Sequence, residues 1–329
     1  MTAEKIKTID GQKLLEMELP PIRFIIDELL PQGFYILAGS PKIGKSWLLL
    51  LLCLQVAKGE LFWNRSTEKG TVLYLCLEDS PSRIQQRLSE LTEDAPQNLK
   101  FATSVNSLSN GLVGQMEMFI TENPDTNLIV IDTLQKVREN GNESNLYASD
   151  YRDIGALKEL ADKYGITIIA VQHLRKQLCS DPHQMVSGST GLLGAADGSY
   201  ILKKDNIGDE TAKLYIRTRD IEEKIYTVKF DKELHEWKFV SSDTPETDRL
   251  QNDSVMNAFI LFMKQTGKFT GTAGELVQRI GCAVSPNVFS RRLNSHRSEL
   301  KKIGIEFKDI RTGTSREKII VYRPPENVQ

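Results

Sequence analysis

Cysteine and histidine are scarce, with four of each in 329 residues. Cys53, Cys76, Cys179 and Cys282 stand far apart with no CxxC pair, which predicts neither a zinc site nor a disulfide framework and makes a reducing compartment the default. Long apolar runs are also missing. The greasiest segment, residues 47–54, is too short to span a bilayer and is followed by Gln55 and Lys58, so it reads as a helix buried against a sheet. The opening residues MTAEKIKTID hold no apolar stretch of signal-peptide type. No internal repeat or long low-complexity tract is present. These absences lead to the expectation of a cytoplasmic chain with no membrane partner. With 40% hydrophobic residues it has enough material for a sizeable core and a length suited to about two domains.

Charge is unevenly spread. From Asp253 to the end there are 13 Lys and Arg against 7 Asp and Glu, which leaves 29 against 37 before it and a formal net charge of −2 overall. One end is suited to an anionic partner. The sign changes at residues 241–248, a polar, acidic stretch with one proline that reads as a linker. The predicted organisation is an N-terminal segment (1–30), a nucleotide-binding α/β domain (31–240), an acidic linker (241–252) and a basic module (253–325).

Residues Gly39, Ser40, Pro41, Lys42, Ile43, Gly44, Lys45 and Ser46 match the phosphate-loop pattern G-x-x-x-x-G-K-[ST] at every fixed position. An apolar, aromatic run at 33–38 reads as the buried parallel strand before the loop, and 47–58 reads as the helix after it, closed by Gly59. In such a loop backbone N–H groups surround phosphates, Lys45 reaches the β- and γ-phosphates and the Ser46 hydroxyl ligates Mg²⁺. ATP and Mg²⁺ are therefore the expected ligands.

Further strands are predicted at 71–77, 127–131 and 166–171, alternating with helical segments as a parallel sheet requires. Each runs into polar residues, and ligand crevices in open α/β sheets lie at those carboxyl ends. Asp132 occupies the Walker B position and is expected in the Mg²⁺ shell, the alternative being a helix cap. Glu78 is the candidate general base, on the expectation that its strand lies beside the phosphate-loop strand with its tip toward the γ-phosphate. Asp79 could replace it, or the pair could cap a helix beginning near Ser80 and Pro81. His173 or Gln172 could contact the γ-phosphate and report its loss, or His173 could be structural.

The ordered set AGSPKIGKS, VLYLCLED, LIVIDTLQKV, VQHLRK, SGSTGLLGAADGSY and IRTRDIEEK resembles the RecA-like ATPases of the RepA replicative-helicase type, found on plasmids, phages and integrative elements. The resemblance covers about residues 33–240. It implies a RecA-like core with a mostly parallel sheet, Glu78 as catalytic base, His173 as sensor and rings in which each site is completed by a neighbour. Arg217 and Arg219 fit that completing role as arginine fingers. They stand two apart on a predicted strand and so share a face, unless they form a solvated face beside Asp220 and Glu222. The GAADGSY stretch carries no arginine, a departure from where the hexameric RepA of broad-host-range plasmids looks to place its finger. Lys136, Arg138, Arg175 and Lys176 open the loops that line the channel in such rings. They are candidates for tracking single-stranded DNA, or else ordinary exposed bases.

In the basic module, helices are predicted at 254–265, at 272–280 from a capping-box pattern and at 285–303, with a hairpin of 305–311 and 318–323. Three helices and a two-stranded wing resemble a winged-helix domain, which implies duplex DNA contact through Arg291, Arg292 and Arg297 on the third helix, or alternatively protein docking. The combined expectation is an ATP-dependent DNA helicase or translocase for mobile-element replication, acting as a homo-hexamer with a replication initiator or primase as possible partner. The alternatives are a helicase loader or recombination-type ATPase, and an ATP-switched DNA-binding regulator or partition adaptor.

Overall fold

A computed structural model describes residues 8–17, 19, 21–138, 146–175, 181–187, 190–206, 208–242, 253–312 and 315–324. The chain divides into two compact units, residues 20–244 and residues 1–19 with 245–329. A short helix capped by Asp10, α1 (Gly11–Glu16), belongs to the second.

The larger unit begins with a two-stranded ribbon, β1 (Phe24–Ile26) and β2 (Leu30–Pro31), whose Ile25, Ile26, Leu29 and Leu30 are buried in the main core. The sequence reading places these residues in an N-terminal segment ending at residue 30. They belong to the core because the ribbon closes one edge of its apolar layer. There follow β3 (Gly33–Gly39), α2 (Lys45–Lys58), β4 (Thr71–Cys76), α3 (Pro81–Leu91), β5 (Leu99–Ala102), α4 (Leu112–Glu122), β6 (Thr126–Asp132), a single turn α5 (Leu134–Val137) and α6 (Leu146–Tyr164). After these come β7 (Thr167–His173), α7 (Thr190–Ala195) and the strands β8 (Gly198–Lys203), β9 (Thr211–Thr218), β10 (Lys224–Asp231) and β11 (Glu236–Ser242). Ser241 and Ser242, expected in the linker, pair with Thr227 and Tyr226 and so extend the sheet. The rest of the predicted linker lies outside the described residues.

Nine strands form one sheet in the order β11-β10-β9-β8-β3-β7-β6-β4-β5. The six strands from β8 to β5 in that order run parallel, and β9, β10 and β11 continue the sheet antiparallel. Every residue of β3, β4 and β6 is buried, which explains their near-continuous apolar sequences. Helix α2 packs into the core on one face of the sheet, and α4 and α6 supply the core on the other. The unbroken leucine run of α2 is thus a burial requirement. One expectation is corrected here. β4 does not lie beside β3, because β7 and β6 stand between them, and β3 is instead flanked by β7 and β8.

In the other unit α8 (Ser254–Thr266), β12 (Lys268–Thr272), α9 (Ala273–Ile280), α10 (Pro286–Ser295), α11 (Arg297–Lys302), β13 (Ile305–Thr312) and β14 (Ser315–Tyr322) surround a core that includes Met256, Phe259, Leu276, Phe289, Leu293, Leu300 and Ile320. Its sheet order is β12-β14-β13, antiparallel throughout. The capping box on α9 is formed, with the Thr272 hydroxyl accepting from Glu275 N–H and Glu275 accepting from Thr272 N–H. The single helix predicted over 285–303 is broken at His296, which closes α10. Asn294, Ser295 and His296 are weak helix formers, and Leu293 before the break and Leu300 after it are both buried in the core. Among the described residues no helix is long and apolar enough to cross a membrane.

At the amino ends of the parallel strands, Asp197 holds several elements together. Its carboxylate accepts from Phe34 N–H at 3.0 Å, from Lys158 Nζ at 2.7 and 2.8 Å and from Arg219 Nη1 at 3.2 Å. A Cβ on residue 33 would lie 2.7 Å from Asp197 Oδ2, and its φ of +134° is one that glycine alone adopts freely, so Gly33 is fixed by this close approach. Removing the carboxylate leaves the buried Phe34 amide without its partner and Lys158 with Asp162 alone. Asp197→Ala should therefore cost about 3 kcal/mol of unfolding free energy in a urea titration, and a loss under about 1 kcal/mol would contradict this account.

Candidate nucleotide site

The carboxyl edge of the sheet brings four predicted site residues together through register. Gly39, the last residue of β3, pairs with His173 on β7 and with Leu202 on β8. Asp132, the last residue of β6, pairs with Cys76 on β4, and Glu78 follows two residues later. Glu78 therefore reaches the site through its pairing with the Asp132 strand and not through adjacency to β3.

The phosphate loop leaves Gly39 so close to β8 that a Cβ would lie 2.8 Å from the Leu202 carbonyl oxygen. Gly44 adopts φ +105°, and a Cβ there would meet the Trp237 indole at 3.0 Å. That indole, on β11, donates its N–H to the Gly44 carbonyl at 3.0 Å. Helix α2 starts at Lys45 with no side-chain cap, leaving the loop amides for an anion. Lys45 Nζ donates to the Gly39 carbonyl at 2.9 Å and the Ser40 carbonyl at 3.1 Å, inside the curl of the loop. Burial lowers its pKa, and the charges of Asp132 and Glu78 oppose that shift.

Asp132 is 7% exposed. Its Oδ2 accepts from Ser46 Oγ and from Tyr74 OH, each at 3.0 Å. Burial raises its pKa, and the two hydroxyls pull it down. Glu78 is exposed, with Oε1 accepting from Thr133 Oγ1 at 3.1 Å. Asp79 is held by Arg83 at 2.9 Å and by Arg87, so its carboxylate is committed to α3. Ser80, not either acid, caps that helix. Gln172 is buried, and its side-chain oxygen accepts from the His173 N–H at 3.1 Å. The His173 ring Nδ1 is buried and has no hydrogen-bond partner among the described residues.

These features fit a nucleoside triphosphate with Mg²⁺. The glycine cradle admits no side chain, an ammonium lies inside it, hydroxyl and carboxylate oxygens suit a hard cation, and a ring nitrogen beside the loop is unsatisfied. Tyr74, Thr133 and Trp237 belong to the site and were not singled out in the sequence. Tyr74 reads as one of several buried strand residues, and nothing in the chain order brings Trp237 to residue 44.

Other predicted residues are placed differently. Lys136 is exposed on α5, whereas Arg138 Nε donates to Asp153 at 3.0 Å. Arg175 is exposed, and Lys176 lies outside the described residues. The loop after His173 is closed at its base, with Ser187 N–H donating to the His173 carbonyl at 2.8 Å and Arg175 N–H to the Met185 carbonyl at 2.6 Å. Arg217 pairs with Asp181 at 2.9 Å and with Glu223 at 2.7 Å. Arg219 lies just past β9 and pairs with Asp197. In register both arginines lie toward the end of the sheet away from their own phosphate loop. In the smaller unit Arg291 is exposed, but Arg292 bonds Asp253 at 2.9 and 3.1 Å. Arg297 donates to the Phe307 carbonyl at 2.9 Å and lies 4.4 Å from the centre of that ring.

A family profile described as an AAA domain matches residues 2–178. The chain belongs to this family. As a family member it is a P-loop ATPase, and its core has the RecA-like fold of replicative-helicase ATPase domains. One solved ATPase domain is similar at a TM-score of 0.53 and 15% identity, with 64% of this chain and 85% of that chain covered. A DnaB-like replicative helicase, solved in a study of its interactions with primase, is similar at a TM-score of 0.52 and 17% identity. That match covers 64% of this chain and 58% of the helicase.

The loop after His173 also carries a titratable anchor. His183 Nδ1 lies 2.7 Å from Ser199 Oγ, and its buried Nε2 has no partner among the described residues. Burial, and then the charge of Arg217, lowers its pKa to about 4, against the pull of Asp181 and Glu223. Between its ordinary value of 6.5 and about 4 the unfolded chain binds a proton that the folded chain does not, so stability is lost as pH falls through this window. Urea midpoints at pH 7 and pH 4.5 should show that the wild type loses on the order of 2 kcal/mol more than His183→Gln. Parallel losses in the two proteins would count against a neutral buried imidazole.

Proposed function

We propose that the chain is an ATP-dependent DNA translocase that unwinds DNA as a homo-hexameric ring in the replication of a mobile element. The observation that carries this reading is the convergence of the phosphate loop, Asp132, Glu78 and His173 on one sheet edge. In this reading the loop amides and Lys45 hold the phosphates, and Ser46 and Asp132 hold Mg²⁺, with Tyr74 orienting the carboxylate. A bound Mg²⁺ would supply charge neutralisation for the phosphates. Glu78, exposed and oriented by Thr133, takes the proton of the attacking water. His173 meets the γ-phosphate side and passes its loss to the loop clasped at its carbonyl. Lys136, Arg175 and Lys176 follow single-stranded DNA through charge.

Arg217 and Arg219 serve the neighbouring subunit's phosphates. Both are more than two-fifths exposed and can exchange their internal acids for a stronger anion. The order helix, strand, three helices, strand, strand over residues 254–322 of the smaller unit supports reading it as a winged helix that binds duplex DNA through Arg291. A primase or replication initiator is the proposed protein partner. The mobile-element setting rests on the resemblance of the ordered motifs.

Lys45→Ala should hydrolyse no ATP, while Glu78→Gln should bind ATP and turn it over about 10²-fold more slowly. Strand displacement from a tailed duplex should be lost in both. A Glu78→Gln protein with the wild-type rate would remove Glu78 as base. For the arginines, Lys45→Ala and Arg217→Ala should each be inactive alone and partly recover when co-assembled, since some interfaces then pair an intact loop with an intact arginine. Demonstrably mixed oligomers without any recovery would leave Arg217 as a fold-supporting residue.

A further inference from the structure

Helix α10 has two faces of different chemistry. Phe289 and Leu293 are buried in the core of the smaller unit. On the opposite side Asn287, Arg291 and Asn294 are exposed, with Ser290 half-buried among them. Spacings of three and four residues bring all four within an arc of roughly 100°. Asn287, Ser290 and Asn294 also line a groove with Thr272 and the ion pair of Asp309 with Lys318. No hydrogen bond or ion pair engages the side chains of Asn287, Arg291 or Asn294 among the described residues.

We propose that this face reads base edges, so that the unit recognises a particular duplex sequence and not merely DNA charge. The inference rests on the duplex-binding reading of the unit given above. Binding by charge alone is best served by uncommitted cations, and two of the cations of this segment are already engaged: Arg292 by Asp253, and Arg297 by the carbonyl and ring of Phe307. The outward face of α10 itself presents one unengaged guanidinium between two carboxamides, among the described residues. A carboxamide carries a donor and an acceptor side by side, which matches the N6 and N7 edge of adenine, and a guanidinium matches O6 and N7 of guanine. A protein-docking face would be anchored by buried aromatic or aliphatic groups, and this face offers none. The tail's surplus of 13 Lys and Arg over 7 Asp and Glu from Asp253 onward suits a polyanion. Along a helix, seven residues span about 10 Å, which is about three base-pair steps. The predicted core of the site is therefore about four base pairs, with adenines toward its ends and a guanine between them.

The test uses the full chain without ATP. Duplexes with a random core are selected for binding and sequenced, and the enriched duplex is compared with a scrambled one at a single salt concentration. The expected result is a preference of roughly 10²-fold. Asn287→Ala and Asn294→Ala should each lower it by about tenfold at one adenine position, with affinity for the scrambled duplex and its salt slope unchanged. Arg291→Lys keeps the charge and loses the paired donors, so it should abolish discrimination at the guanine while preserving that slope. Equal binding of all duplexes would overturn the inference and leave the duplex-binding reading intact. No duplex binding even at low salt would instead overturn the reading beneath it and assign the face to a protein.

Discussion

A carboxylate buried as deeply as Asp132 is unfavourable unless donors meet it, and the elements that supply those donors are the elements that make the site. Ser46 comes from the first turn of α2 and Tyr74 from the middle of β4, while the charge of Lys45 at the helix start favours the carboxylate and that of Glu78 at the strand end opposes it. Satisfying one oxygen of Asp132 therefore fixes the rotation of the phosphate-loop helix relative to two strands. Because Cys76 is paired with Asp132, the same register sets where Glu78 leaves the sheet. The position of the candidate base is thus a consequence of compensating a neighbouring charge.

Local pattern carried most of the core. The phosphate loop, the buried strands and the glycine stop of α2 each depend on residues adjacent in sequence, and those positions stand within a residue or two of expectation. Strand order was less legible, because the pattern of β4 is the same whether it lies next to β3 or two strands away. Only the pairings of β7 and β6 decide that, and they join residues far apart in sequence. Trp237 is the clearest case, since its indole meets Gly44 across 193 positions of chain.

Exposed charge was the other weak point. Arg138, Arg217, Arg219, Arg292 and Arg297 all look like free cations in sequence, and each has an acid or a carbonyl partner in the fold. A guanidinium donates in several directions, so one residue can hold two elements together, as Arg217 does between Asp181 and Glu223. Counting cations therefore overstates the surface that a segment offers to DNA. The outward amides of α10 are visible only once the helix faces are known.

The hydrogen bond from Trp237 to Gly44 bears on what counts as an independent module. Residues 2–178 carry the family signature, yet they end before β8, the strand whose Leu202 carbonyl walls the loop, and before β11, whose indole supports it. The stretch that defines kinship is thus smaller than the stretch that can fold around a nucleotide. Through Trp237 the antiparallel extension supports the phosphate loop, so a change in β11 that displaced the indole would be felt at Gly44 even though that strand contains no nucleotide motif.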